Sequence, residues 1–185
     1  MMRIITGRAR GVLLETLEGE ATRPTSSRVK EALFSMIQFD IEGKTVLDLF
    51  AGSGQLALEA LSRGAVSADL VDNSKEAVKI LEVNVKKTKL DALCHIFRMD
   101  YSEYIRKNAG KKFDIVFIDP PYAADIITDV LKKLVAADML NPGSVVVCES
   151  GSVGIFSGYG ETGKEFEVLK QNKYGISYLT LLKKV

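Results

Sequence analysis

The motif Asp119-Pro120-Pro121-Tyr122 closes an apolar run and has residue types that suit the recognition of a hydrogen-bond donor. Each proline fixes φ and lacks a backbone N–H, so an extended path with carbonyl acceptors is expected here. The exocyclic amine of a nucleobase is such a donor. The Asp119 carboxylate and the Pro120 carbonyl would accept its hydrogens, and the base would stack on Tyr122. The motif predicts a nucleobase site; the alternative is a proline turn capped by an aspartate at a sheet edge.

A glycine-rich loop, Asp48-Leu-Phe-Ala-Gly-Ser-Gly54, lies upstream between an apolar run and a helical pattern. Gly52 and Gly54 permit a tight turn and a close backbone approach, and Ala57 completes a variant of the dinucleotide-binding fingerprint. Asp72, at the end of the next apolar run, is placed to accept hydrogen bonds from ribose hydroxyls. We therefore predict a nucleoside-containing cofactor. The alternative is a glycine-rich turn beside a solvent-facing aspartate.

Asp48 indicates which cofactor this would be. A carboxylate just before the loop would repel a pyrophosphate at the following helix N-terminus, whereas it suits the ammonium and sulfonium groups of S-adenosyl-L-methionine. Asp100 is placed to accept a hydrogen bond from the adenine amine, or else to cap the short helix after it. An NAD-dependent oxidoreductase stays an alternative, although the sequence has no Tyr-x-x-x-Lys and no well-placed histidine. With S-adenosyl-L-methionine, positioning would carry most of the rate, and Asp119 would stabilise positive charge on the attacking nitrogen.

Near-continuous Val/Ile/Leu runs alternate with amphipathic helical patterns from residue 44 onward. This alternation predicts a doubly wound α/β domain with a Rossmann-like, mostly parallel sheet of about seven strands. The predicted strands are 44–50, 67–72, 93–99, 113–119 and 144–149, and the predicted helices are 28–37, 55–63, 74–87, 102–107 and 125–137. Asn73 and Glu76 are spaced like a capping box. Residues 165–170 and 177–183 predict a closing antiparallel hairpin around 172–175.

The N-terminal residues predict a small appendage with a basic character. We predict a β-hairpin in residues 1–24 and the S-adenosyl-L-methionine-dependent α/β domain in residues 25–185. Residues 1–30 carry six basic and three acidic side chains, whereas the whole chain has a net charge of +1. The candidates for RNA contact are Arg8, Arg10, Arg23 and Arg28; the alternative is a solvated surface without a partner.

The composition excludes several other classes of protein. The chain has 185 residues, of which 46% are hydrophobic and 26% charged, as in a globular enzyme. Cys94 and Cys148 are too few for a disulfide framework or a zinc site, so we expect reduced thiols and no metal. His95, the one histidine, is expected at a core or edge position rather than in catalysis. The sequence contains no membrane span and no signal peptide, so we expect a cytoplasmic protein.

Several motifs resemble a known family. Asp119-Pro-Pro-Tyr122 with the upstream Asp48–Gly54 loop resembles the class I amino-methyltransferases. Arg3-Ile-Ile, Thr22-Arg-Pro-Thr25, Arg28-Val-Lys-Glu-Ala-Leu-Phe34 and Leu58-Glu-Ala-Leu-Ser-Arg-Gly64 narrow the resemblance to the RsmD-like small-subunit (16S) ribosomal RNA (guanine-N2)-methyltransferase family. The resemblance covers essentially the whole chain and is weakest in residues 150–170. The Asp-Pro-Pro-Tyr motif alone is shared with adenine and cytosine methyltransferases of DNA and RNA, so these remain alternatives.

The resemblance implies a role for each matching residue. The cofactor would be bound by the loop and the strand ends that follow it, namely Asp48, Phe50, Gly52, Ser53, Gly54, Asp72, Asn73, Asp100 and Tyr101. The target base would be held by Asp119, Pro120, Pro121 and Tyr122. Arg23 and Thr25 would touch the cofactor carboxylate, or else Arg23 would contact an RNA phosphate. The sequence departs from the family pattern at Thr6, Gln55 and Ala57, which puts the hairpin geometry and the cofactor affinity in doubt.

The expected partner is small-subunit ribosomal RNA. Because the chain offers little surface for specificity, we expect the substrate to be a partly assembled 30S particle in which proteins shape the RNA. A non-catalytic RNA-binding module is a further alternative, and it would show no methyl transfer.

Overall fold

The computed structural model describes residues 2–17, 27–121, 124–151 and 164–185. Seven strands form one sheet with the order β3-β2-β1-β4-β5-β7-β6. Their bounds are β1 Thr45–Asp48, β2 Ser67–Asp72, β3 Cys94–Arg98, β4 Phe113–Ile118, β5 Leu140–Ser150, β6 Phe166–Tyr174 and β7 Ser177–Lys184. The first five strands are parallel, and β7 is antiparallel to both of its neighbours. The predicted doubly wound, mostly parallel sheet is confirmed.

Helices cover both faces of the sheet, as near-continuous apolar strands require. Their bounds are α1 Ser27–Met36, α2 Gln55–Ser62, α3 Lys75–Thr88, α4 Tyr101–Lys107 and α5 Ala124–Ala136. Successive residues of β1 point to opposite faces. Val46 packs in a core with α1, α2 and α3, whereas Leu47 packs in a second core with α4 and α5. The strand order changes direction at β1, with β2 and β3 on one side of it and β4 and β5 on the other, and this leaves a crevice at the carboxyl ends of β1 and β4.

Two local predictions were wrong by a small shift. The N-cap of α3 is Ser74, whose hydroxyl accepts the Ala77 N–H at 3.2 Å, and not Asn73. The Ser74 N–H donates to Asp72 Oδ1 at 2.9 Å, and this hydrogen bond holds Ser74 at the N-cap position. The C-terminal hairpin turns at residues 175–176 rather than at 172–175, because strand pairing continues to Tyr174.

The N-terminal segment, residues 2–17, is tied to the main body through a buried carboxylate on α2. One antiparallel bridge joins Arg3 to Leu13 and closes a series of tight turns. Glu59 is fully buried and accepts the backbone N–H groups of Ile5 at 2.7 Å and Thr6 at 3.0 Å. A single side chain thereby satisfies two backbone donors of a segment that has few of its own strand bonds.

The charge of Glu59 is balanced by two cations. Lys30 Nζ on α1 lies 3.3 Å from the carboxylate, and Arg63 Nε lies 2.8 Å from it. Lys30 is itself buried and donates to the Arg3 carbonyl at 2.7 Å. Burial lowers the pKa of Lys30, and the neighbouring Glu59 opposes this change. The ion pair therefore holds α1, α2 and the N-terminal segment together.

Candidate active site

A cleft of about 490 Å³ opens at the carboxyl ends of β1, β2 and β4. Parallel strands end on the same edge of the sheet, so the loops after them converge there. The cleft brings together most of the residues predicted from the sequence to form a site. They are Asp48, Phe50, Gly52, Ser53, Asp72, Asn73, Asp100, Tyr101, Asp119, Pro120 and Pro121.

The other predicted residues are placed differently. Gly54 does not line the cleft. Arg8, Arg10 and Arg28 are exposed and also lie outside its lining. Tyr122 and Arg23 fall outside the described residues.

The glycines give the loop its shape. Gly52 has φ +52° and Gly54 has φ +80°, a left-handed region that other residues rarely adopt. Gly54 is also the N-cap of α2, and its N–H donates to the Ala51 carbonyl at 2.6 Å. A Cβ at Gly54 would overlap Leu81 Cδ1 on α3. Gly54 therefore sets the backbone path of the loop while Gly52 and Ser53 face the cleft.

Asp72, at the end of β2, holds the glycine loop in place by accepting hydrogen bonds. Its Oδ2 accepts the Gly52 N–H at 2.9 Å, and its Oδ1 accepts the Ser74 N–H at 2.9 Å. Each carboxylate oxygen can accept a second hydrogen bond, so ribose hydroxyls could still donate to it. The sequence spacing predicted a cofactor contact at Asp72 but did not reveal that the same side chain fixes the glycine loop.

Asp48 is a buried carboxylate at the floor of the cleft, with 2% of its surface exposed. Burial raises the pKa of Asp48 to about 7, and the charge of Asp72 adds to this effect. A weak hydrogen bond from the Phe50 N–H, at 3.4 Å, acts in the opposite direction. Within the described parts of the chain, no lysine or arginine forms an ion pair with Asp48. A cationic ligand would supply the missing opposite charge, and a pyrophosphate would be repelled.

Aromatic and acidic residues form the wall of the cleft beyond β3. Asp100 is the N-cap of α4, and its Oδ1 accepts the Ser102 N–H at 2.8 Å, so the capping alternative is confirmed. The rings of Phe50 and Tyr101 lie 5.3 Å apart at 44°. Tyr101 donates its hydroxyl hydrogen to Asp129 Oδ2 at 2.9 Å, which fixes the ring. This wall offers flat apolar surface beside a carboxylate, which suits a purine ring.

The Asp-Pro-Pro motif forms the opposite wall. β4 pairs with β1 so that Phe117 lies beside Asp48, and Asp119 follows two residues later. Pro120 is buried, Asp119 is half-buried and Pro121 is exposed. The motif and the buried carboxylate therefore share one cleft, as the strand order predicts.

The cleft also contains residues that were assigned no role from the sequence. Glu149 and Ser150 end β5 and line the cleft; the sequence placed Glu149 near it, and the rule that parallel strands end together could have found Ser150 as well. Met2 and Leu17, the two ends of the N-terminal segment, line the cleft as well, and no sequence signal pointed to them.

Other candidate chemistry lies away from the cleft. His95 is exposed on the edge strand β3, as predicted, with Nδ1 3.2 Å from Asp69 Oδ1. Asp69 also accepts hydrogen bonds from Tyr104 and Lys111. Among the described residues, His, Cys, Asp and Glu form no group of three or more that could hold a metal ion. In those same residues, the helices are all too short or too polar to cross a membrane.

Comparison with known proteins gives consistent matches along the chain. Residues 2–183 match the model of the family described as Conserved hypothetical protein 95. Bacillus subtilis YlbH, whose name proposes an rRNA methyltransferase, is 32% identical over 99% of both chains. Ribosomal RNA small subunit methyltransferase D of Haemophilus influenzae is 32% identical over 80% of this chain and 78% of its own.

A solved structure agrees with the sequence matches. Escherichia coli yhhF, whose name proposes a methyltransferase, superposes with a TM-score of 0.87 at 28% identity, covering 99% of this chain and 97% of that one. The chain therefore belongs to the Conserved hypothetical protein 95 family, the family of the ribosomal RNA small subunit methyltransferase D proteins.

Proposed function

We propose that this protein is an S-adenosyl-L-methionine-dependent methyltransferase that modifies the N2 amine of a guanine in small-subunit ribosomal RNA. The observation that carries the proposal is that one cleft joins Asp48, a buried carboxylate with no ion pair to any described lysine or arginine, to the acceptor-rich Asp119-Pro120-Pro121 motif. Family membership supports the reaction class and the RNA substrate.

The residues present fit this cofactor. The Asp48 carboxylate would pair with the ammonium of the methionine part, and Asp72 would accept hydrogen bonds from the ribose hydroxyls. Asp100, beside the Phe50 and Tyr101 rings, would accept from the adenine amine through the oxygen that does not cap α4. Ser53 and Asn73, which line the same cleft next to Gly52 and Asp72, would add polar contacts to the cofactor. The bound cofactor would supply an activated methyl group.

The Asp-Pro-Pro-Tyr motif would hold the target base at the other end of the cleft. The Asp119 carboxylate and the Pro120 carbonyl would accept the two hydrogens of the amine and thereby turn its nitrogen toward the methyl group. As the nitrogen becomes positively charged, Asp119 would stabilise that charge. Pro121 fixes its own φ and adds no N–H donor, and Tyr122 would provide the stacking surface.

The basic residues outside the cleft would bind RNA phosphates. Arg8 and Arg10 lie on the exposed turn of the N-terminal segment, and Arg28 lies exposed at the start of α1. Arg23 would reach either the same RNA or the cofactor carboxylate. These few cations form a small contact surface, which supports a partly assembled 30S particle as the substrate, because ribosomal proteins would then fix the shape of the RNA.

The test is methyl transfer from labelled S-adenosyl-L-methionine to small-subunit particles from cells that lack the enzyme, followed by nucleoside analysis. We expect label in N2-methylguanosine with the parent protein, and a loss of about a hundredfold or more in rate with Asp119→Ala. Asp138→Ala, at an exposed position in a different turn, is the control and should keep the parent rate. Label in a methylated adenine or cytosine would overturn the choice of base. No label, despite cofactor binding, would support the RNA-binding alternative.

The role of the particle is tested separately. Parent protein should methylate partly assembled particles faster than deproteinised RNA of the same sequence. Equal rates on the two substrates would refute the particle hypothesis and leave the reaction itself in place.

A further inference from the structure

Asn84, on α3, makes three hydrogen bonds that connect two separate parts of the cleft wall. Its side chain is fully buried. Nδ2 donates to the Ser53 carbonyl in the glycine loop at 2.8 Å and to the Glu15 carbonyl at 2.9 Å. Oδ1 accepts the Glu15 N–H at 2.8 Å. One amide therefore joins the glycine loop to the N-terminal segment.

Both of the joined parts face the cleft. Ser53 lines it, and so do Met2 and Leu17 at the two ends of the N-terminal segment. Ser53 Oγ also lies 3.3 Å from Met2 Sδ. Glu15, which Asn84 holds by its backbone, is two residues from Leu17 and forms an ion pair with Lys87 on α3. The position of the N-terminal segment relative to the glycine loop thus depends on Asn84 and Glu15, which do not themselves line the cleft.

We propose that Asn84 is a positioning residue for the cofactor site: it sets the Ser53 end of the glycine loop against the N-terminal segment and so holds the cleft at the width that the cofactor needs. The inference rests on the proposed function, because it takes S-adenosyl-L-methionine as the ligand. Asn84 acts through Ser53 and Glu15 and does not line the cleft.

The chemistry of the amide explains why asparagine is suited to this position. A primary amide offers two donors and an acceptor, and both carbonyls and the Glu15 N–H need partners once they are shielded from water. Removing the amide leaves these groups without their partner, and each such loss weakens the structure around it. Replacement by aspartate keeps the acceptor for the Glu15 N–H but puts an oxygen against the two carbonyls.

Thr88 provides a matched control on the same helix. It is also buried, one turn further along α3, and its hydroxyl donates within the helix to the Asn84 and Val85 carbonyls, each at 2.9 Å. Thr88→Val removes a buried side-chain hydrogen bond of α3 while leaving the glycine loop and the N-terminal segment untouched. It therefore reports the effect of weakening α3 alone.

The experiment measures S-adenosylhomocysteine binding by calorimetry, with thermal unfolding of each variant alongside. Asn84→Ala and Asn84→Asp should each weaken binding by about tenfold. In methyl-transfer assays they should raise the KM for S-adenosyl-L-methionine while leaving kcat and the KM for RNA near the parent values. Thr88→Val should lower the unfolding temperature without changing the affinity. Should Asn84→Ala not fold, Asn84→Ser takes its place.

The outcomes separate this inference from the proposed function. Parent-like affinity in the Asn84 variants, or an equal loss in Thr88→Val, would overturn the positioning role while the parent still binds the ligand. A parent protein that does not bind S-adenosylhomocysteine at all would overturn both.

Discussion

Cofactor binding should depend on pH through Asp48. Burial raises the pKa of this carboxyl to about 7, so near neutrality the free protein is a mixture of the neutral and charged forms. The charged form is the one that pairs with an ammonium group. We therefore expect the affinity for S-adenosylhomocysteine, whose ammonium stays charged throughout, to rise from pH 6 to pH 8. Asp48→Asn should abolish the rise and bind more weakly than the parent at pH 8.

The size of the effect follows from the titration. About a tenth of the molecules carry the charge at pH 6 and about nine tenths at pH 8, so the affinity should rise about tenfold, or ~1.4 kcal/mol.

The stability of the free protein should change with pH in the opposite sense. The pKa is raised from 3.8 to about 7, so the contribution of Asp48 is present below pH 3.8 and is lost as the pH rises through 7. That loss is on the order of 4 kcal/mol, and Asp48→Asn should therefore stabilise the free protein at pH 8.

Calorimetric titration at pH 6, 7 and 8 would measure the affinity, and urea unfolding without ligand would measure the stability. Repeating the titration in buffers of different ionisation enthalpy would count the protons released. Binding should release close to one proton per ligand well below the pKa of Asp48 and almost none at pH 8. The reasoning is refuted by a flat affinity in the parent, or by an unchanged pH slope in Asp48→Asn.

Three further predictions concern the scaffold and the RNA surface. Glu59→Gln should lower the free energy of unfolding in urea by about 3–5 kcal/mol, because it leaves Lys30 buried without its partner; a loss under about 1 kcal/mol would contradict this. Gly54→Ala should cost about 2 kcal/mol or more by the same assay and weaken cofactor binding; parent-like binding would contradict the role given to its left-handed backbone. Removing both Arg8 and Arg10 should reduce the salt dependence of RNA binding by about two units of slope without changing cofactor affinity. An unchanged slope would place the RNA elsewhere.

The sequence predicted the sheet and the cleft well because both depend on patterns that repeat along the chain. Apolar runs such as Phe113–Asp119 are long enough to identify buried strands, and parallel strands bring their following loops to one edge. The glycine loop, Asp72 and Asp119 were therefore placed together without knowledge of the structure. Their roles in binding remain predictions.

Contacts distant in sequence were not predictable in this way. Nothing in the local pattern indicates that Glu59 binds the backbone at Ile5 and Thr6, or that Asn84 joins Ser53 to Glu15. Asn84 lies on an amphipathic helix, α3, where a polar residue is usually expected to face solvent. Glu59 lies on α2, which is buried almost all round, and the local sequence does not indicate which backbone groups its carboxylate contacts. The N-cap of α3 was missed for a similar reason. Ser74 rather than Asn73 caps the helix because the Ser74 N–H donates to the Asp72 carboxylate.

The central place of β1 in the sheet has a consequence for synthesis of the chain. β2 and β3 can pair on one side of β1 once residue 98 has been made. The other edge of β1 stays unpaired until β4 has been made. The twenty residues from Met99 to the end of β4 at Ile118 take roughly 1–4 s at about 5–20 residues per second. During that interval an apolar strand is exposed to pairing with other chains. A nascent chain stopped before β4 should therefore aggregate, and it should gain cofactor binding only after β4 has paired with β1 and fixed the end of that strand.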